Sequence, residues 1–166
     1  MKVIAYFDIL ASHTEQKKEK AEEIIKKAFS DIKGQLEKNE KIKILKTEEA
    51  EILERELDIQ GNKIKAWSSF LKAELEINNI EDLFDFVLWY SPSRLEINGL
   101  KEAKFNIDGK EIKLTGKQFN EILNSISARI IELTRILLDL NTRYQIAQEI
   151  IKKYLPREAQ KLDQPK

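Results

Sequence analysis

The sequence predicts an α+β chain: a ferredoxin-like (split βαβ) antiparallel sheet with two helices, then a β-hairpin and a long C-terminal amphipathic helix. Three observations predict it. Strand-like and helix-like hydrophobic periods succeed one another as strand, helix, strand, strand, helix, strand over residues 2–100. An Asp108-Gly109 turn then joins two short alternating runs. Beyond it, apolar residues hold a seven-residue phase from Lys117 to Leu155 without a Gly or Pro. The expected division is an α/β sandwich domain over 1–100, a hairpin plus oligomerisation helix over 101–155, and a flexible tail over 156–166.

Val3 to Leu10 is apolar on both alternating sets except at Asp8, as expected of a strand inside a sheet and buried on both faces. Asp8 is expected near the strand end, reaching water or a partner. Thr14 is placed to start a helix, with Glu15 and Glu19 early in it. Ala21, Ile24, Ile25, Ala28, Phe29, Ile32 and Leu36 recur at helical spacing, and Gly34 weakens the end. Its lysines interleave with Glu19, Glu22 and Glu23, the pattern of a solvated, salt-bridged face.

Lys41 to Lys46 alternates as a strand. Between Glu48 and Ile59 two readings compete: a short helix opening at Thr47, or extended chain in which Leu53, Leu57 and Ile59 lead to a turn at Gln60-Gly61-Asn62. The alternation favours extended structure. Trp67, Leu71, Ala73, Leu75 and Ile77 share one face of a strand whose other face carries Lys72, Glu74 and Glu76. Asn79 is the expected cap of a helix burying Leu83, Phe84, Phe86, Val87 and Trp89, ended by Ser91-Pro92. Arg94 to Ile97 returns as a strand. Ala103, Phe105 and Ile107 then pair with Ile112 and Leu114 across the Asp108-Gly109 turn, and Thr115 is the expected cap of the last helix.

That helix has three columns. Phe119, Ile126, Leu133, Leu140, Ala147 and Tyr154 form the first, and Leu123, Ile130, Leu137, Tyr144 and Ile151 the second. Ile122, Arg129, Ile136, Arg143 and Ile150 form the third, and the uncharged row Asn120, Ser127, Thr134, Asn141, Gln148 borders the stripe. The apolar arc covers roughly 100° of the helix, wide enough to pack on a core or in a bundle. A straight run of this length reaches roughly 58 Å, against about 40 Å across a compact chain of this size. The far half therefore packs on a second copy, or the helix folds back near Asp139–Thr142 with Asn141 as a new cap; the unbroken phase favours continuity. The expected interface is Leu133, Leu137, Leu140, Tyr144, Ile151 and Tyr154. Arg129 and Arg143, on its edge, are candidates for an anion or partner contact, or for simple pairing with Glu132 and Asp139.

Composition limits the chemistry. The chain has 166 residues, with 29 Lys plus Arg against 29 Asp plus Glu. It therefore lacks a global field favouring nucleic acid or an anionic membrane. Cysteine is absent and His13 is the single histidine, which excludes thiol catalysis and multi-His metal sites. Five glycines form no phosphate-cradling loop. Glu54 with Glu56, Glu74 with Glu76, and Glu81 with Asp82 are carboxylate pairs that ordinary surface patterning explains. Trp67, Phe70, Trp89 and Tyr90 are candidates for a small cleft between sheet and helix. No cofactor, metal or catalytic set is called for. The apolar run at the N-terminus contains an acid and reads as a strand, not a signal peptide, so the expected location is cytoplasmic, with no membrane span.

The expected role is that of a soluble homo-oligomer, a dimer first, that binds or scaffolds a protein partner. A nucleic-acid-associated regulator and a carboxylate enzyme using a divalent metal are the alternatives. Steep salt dependence of nucleic-acid binding would mark the first of these, and a metal-dependent rise in melting temperature the second.

Overall fold

A computed structural model of the chain describes residues 1–12, 17–59 and 62–154, without the side chains of Ile59, Asn62, Ile107, Lys152 and Tyr154. It is α+β, with an antiparallel sheet and three helices. In chain order the elements are β1 (Lys2–Ala11), α1 (Lys18–Glu37), β2 (Ile42–Glu49), β3 (Leu53–Ile59), β4 (Asn62–Ile77), α2 (Ile80–Tyr90), β5 (Arg94–Asn98), β6 (Glu102–Ile107), β7 (Lys110–Thr115) and α3 (Gly116–Tyr154). The expected helix start at Thr14, and His13 and Glu15 beside it, lie outside the described residues.

The main sheet runs β2-β4-β1-β5, with β3 also paired to β4 and every pairing antiparallel. β4 is 16 residues long because two strands lie end to end along one of its edges. β2 pairs with Leu71–Ile77 and β3 with Asn62–Ser68. Between them the chain stays tethered: the Ala50 N–H donates to the Phe70 carbonyl at 2.9 Å and the Ser69 hydroxyl donates to the Ala50 carbonyl at 2.7 Å. The stretch from Glu48 to Ile59 is thus extended, as its alternation favours.

One face of this sheet is the core. Val3, Leu75 and Ile97 align across three strands, and Ala5, Ala73 and Leu95 form the next row. The small Ala row leaves room for helices to approach. α1 packs Ala21, Ile25, Phe29 and Leu36 into the same cluster, and α2 adds Leu83, Phe86 and Val87. Phe86 meets Phe7 edge-on at 6.4 Å and stacks on Tyr90 at 5.2 Å. The other face of β1 is not buried as its sequence predicts: Asp8 and Leu10 are exposed and Ile4 and Tyr6 half-buried. Among the described residues no element covers its apolar side chains there. Trp89, expected inside, is 82% exposed, because the buried positions of α2 are Asp82, Leu83, Phe86 and Val87 and Trp89 falls off that face.

Capping chemistry reads through directly. The Asn79 side chain accepts from the Asp82 N–H at 2.8 Å, and Ser91 ends α2 in the left-handed region at φ 42°. Asp108 and Gly109 take φ of 52° and 76°, the two positive values that a tight hairpin turn requires. At the start of α3, the Thr115 hydroxyl accepts from the Gln118 N–H at 3.2 Å while the Gln118 side chain accepts from the Thr115 N–H at 3.0 Å. That is a capping box. Gly116 is required there, since a Cβ at this position would lie 1.8 Å from the Leu100 carbonyl oxygen.

The β6–β7 hairpin forms a separate two-stranded sheet. Phe105 joins Phe84 and Phe119 in a mutual aromatic cluster with centroid distances between 5.5 and 6.4 Å. The chain forms two compact units, residues 1–128 and residues from Arg129 onward. The boundary between them falls inside α3.

Candidate functional site

In the first unit, α3 is held by polar groups as well as apolar ones. Phe119 and Leu123 are fully buried. Beside them the Asn124 amide accepts from the Leu95 N–H at 2.7 Å and donates to the Leu95 carbonyl at 2.9 Å. A single side chain thus completes the outer edge of β5, where a further strand would otherwise pair. The buried Ser127 hydroxyl donates to the Pro92 carbonyl at 2.5 Å. Sequence reasoning missed both residues. Asn124 lies outside every apolar column, and the uncharged row containing Ser127 reads as a rim.

From Arg129 onward the exposure changes while the sequence phase does not. Leu123 is 0% exposed, whereas Leu137 in the same column is 66% exposed, Tyr144 61%, and in the neighbouring column Leu133 59% and Leu140 55%. Ile130 and Ile151 are half-buried. Ile136 and Ile150 of the third column are exposed too, and Ile131, Leu138 and Ile146 carry apolar surface beyond the predicted columns. The Tyr154 side chain lies outside the described residues. The helix continues through Asp139–Thr142 with no second cap, so the fold-back alternative is absent.

The two arginines each have a carboxylate on the same helix. Arg129 pairs with Glu132 at 2.7 Å and Arg143 with Asp139 at 2.9 Å. Arg143 and Asp139 also line a shallow hollow of about 400 Å³ with Arg135, Ile136 and Leu140. Charged and apolar walls therefore meet on one side of the helix. The Tyr144 hydroxyl accepts from the Gln148 amide at 2.7 Å, which keeps its polar end satisfied along the helix.

The open face of the main sheet is the other exposed surface. It carries alternating charges: Lys46 bonds Glu48, and Lys72 reaches Glu48 at 3.5 Å and Glu74 at 3.1 Å. The hydrogen bond from Lys46, then its charge and that of Lys72, hold the Glu48 carboxyl below the usual carboxylate range. The Glu48 and Glu74 bonds push Lys46 and Lys72 upward in turn. At one end of this face a hollow of about 630 Å³ is lined by Leu10, Leu53 and Phe70 together with Asp8, Arg55 and Ser68. Tyr6 packs against Phe70 at 5.8 Å and the Arg94 guanidinium lies 5.4 Å from the Tyr6 ring centroid.

The four aromatics considered for a cleft do not converge. Trp67 is buried in the core and Phe70 points to the opposite face. Trp89 and Tyr90 edge a shallow depression with Gln35, Lys38 and Lys41. The carboxylates also have other partners: Glu54 pairs with Lys65 at 2.8 Å, Glu56 with Lys63 at 2.7 Å, and Asp82 with Lys41 at 3.1 Å. Among the described residues no group of three or more acids or histidines is placed to hold a metal ion. No described helix is long and apolar enough to cross a membrane.

The model of the MJ0538 family matches residues 2–155, and the chain belongs to that family. The match spans sheet, hairpin and α3 together. Neither the curated proteins nor the solved structures contain a significant match.

Proposed function

We propose that this member of the MJ0538 family is a homo-oligomeric binding or scaffold protein, in which α3 beyond Arg129 makes the assembly. One observation carries the reading. A single helix keeps one apolar phase throughout, yet Phe119 and Leu123 before residue 128 are buried while Leu133, Leu137, Leu140 and Tyr144 after it are exposed. Large contiguous apolar surface of this kind marks an interaction site in a soluble chain. The interface comprises Leu133, Leu137, Leu140, Tyr144 and Ile151, with Arg129 and Arg143 at its margin for a partner carboxylate; Tyr154 completes the column in sequence.

In this reading residues 1–100 form the presenting domain, 101–155 the hairpin and assembly helix, and 156–166 a tail, and the protein acts in the cytoplasm. The order β2-β4-β1-β5, antiparallel throughout, supports a ferredoxin-like split βαβ sheet. Its open face, with the hollow at Leu10, Leu53 and Phe70, is the surface offered to a protein partner.

Replacing Leu137 and Leu140 together by Lys tests the assembly. Light scattering should report a monomer at micromolar concentration, with the circular dichroism melt of the sheet domain retained. An assembly unchanged by the double substitution would remove the far half of α3 from the interface.

A further inference from the structure

We propose that the assembly is a two-stranded antiparallel pairing of α3 with α3 of a second copy, centred on Thr142. This rests on the assembly reading above and adds its partner, direction and register. The two apolar columns alternate at spacings of four and three, the seam of a coiled coil. What fixes direction is the pair of flanks beside that seam. One carries Ile136, Arg143 and Ile150, and the other Thr134, Asn141 and Gln148.

In a parallel pair the two unlike flanks face each other. Ile136 would then lie against Asn141 of the second copy and Arg143 against Gln148, burying apolar surface beside amides. In an antiparallel pair each flank meets itself. Ile136 lies against Ile150 of the second copy, while Thr134 meets Gln148 and Asn141 meets Asn141. Like chemistry then meets like on both sides.

Side-chain size points the same way. Parallel, in-register helices stack Tyr144 on Tyr144 and then Ala147 on Ala147, an overfilled layer next to an underfilled one. Antiparallel pairing about Thr142 sets Tyr144 against Leu140 and Ala147 against Leu137 of the second copy, and Leu133 against Ile151. The gap at Ala147 is then filled by Leu137, and Tyr144 no longer stacks on its own copy. Opposed helix dipoles add a small favourable contribution.

The register follows from what is free to pair. Sliding the second helix by one heptad in one direction demands Leu123, which is 0% exposed and already in the core. Sliding it the other way leaves Ile130 and Leu133 uncovered. The central register covers Ile130 through Ile151 and needs nothing buried. It also brings Arg143 close to Arg143 of the second copy. Each arginine already holds an Asp139 at 2.9 Å, so charges alternate around the two-fold axis, beside the hollow that Ile136 and Leu140 help to line.

A chain without cysteine makes the test direct. The variants L137C and A147C are prepared separately, mixed, equilibrated and oxidised mildly, and the products are read by intact mass. A mixed L137C–A147C disulfide is expected to dominate. Each variant alone should give little, because like positions then lie about 15 Å apart along the axis, beyond disulfide reach. I136C mixed with I150C serves as an independent second pair on the flank. Efficient self-linking of L137C means parallel pairing and overturns the proposal while leaving assembly intact. A dimer in which neither mixed pair links overturns the register. Wild-type protein that is monomeric by native mass overturns the assembly reading itself, a separate and distinguishable result.

Discussion

The two halves of α3 obey the same sequence grammar and meet different fates. Before residue 128 the columns supply Phe119 and Leu123 to a core already built by the sheet, α2 and the hairpin. After it, Leu133, Leu137 and Leu140 stand in the open. Periodicity therefore specifies that a helix forms and which side is apolar; it does not specify what covers that side. The difference lies in the neighbours, and polar residues mark where the neighbours end. Asn124 and Ser127 hold the helix to Leu95 and Pro92, whereas Arg129 and Arg143 pair only along the helix itself.

One substitution made twice breaks this comparison most sharply. Leu123→Ala should destabilise the first unit by about 2–5 kcal/mol, as buried Leu truncations do. Leu137→Ala should leave the denaturation midpoint of a dilute, dissociated sample within about 0.5 kcal/mol of wild type and should weaken assembly instead. Urea titrations at low and high protein concentration separate the two, because assembly makes apparent stability concentration-dependent. Equal effects at both positions would dissolve the distinction between the halves.

A smaller effect is expected at the polar anchor. Asn124→Leu keeps the volume but strips the Leu95 N–H and carbonyl of their partner, for an expected loss of about 1–3 kcal/mol. Hydrogen exchange at the Leu95 amide should accelerate more than at amides in the β1–β4 ladder. Exchange unchanged at Leu95 would show that the Asn124 amide is not what closes that edge.

The smallest effect concerns the open face of the sheet. Lys46 and Lys72 hold the Glu48 carboxyl below its ordinary value, so the folded state binds its proton less readily than the unfolded chain does. The resulting stabilisation is present above the unfolded value of about 4.3 and is lost as pH falls through the lower folded value. Glu48→Gln should therefore melt slightly below wild type at pH 7, and the gap should close as pH falls below the ordinary carboxylate range and narrow with added salt. A gap that persists in acid would assign it to something other than ionisation.

Much of the fold was legible because its signals are local. Asn79, Thr115 and the Asp108-Gly109 turn act on neighbouring backbone, and all three occupy the roles their residue types predict. The faces of β4 were legible through strict alternation. Burial was less so where it depends on distant elements. The sequence of β1 is apolar on both sides, yet Leu10 is exposed, and Trp89 falls just off the buried arc of its short helix. Asn124 was illegible for the opposite reason, since its value comes from a strand edge contributed by Leu95, far away in sequence. Leu133, Leu137, Leu140 and Tyr144, expected to form an interface, are exposed, and so are Leu138 and Ile146 outside the columns; periodicity gives the apolar side but not its partner.

Native mass spectrometry of the untagged protein, recorded over a dilution series, tests the central claim most directly. A dimer is expected at micromolar concentration, which L137K/L140K reduces to a folded monomer. A wild-type protein that stays monomeric at the highest concentration, with α3 intact by circular dichroism, would contradict it.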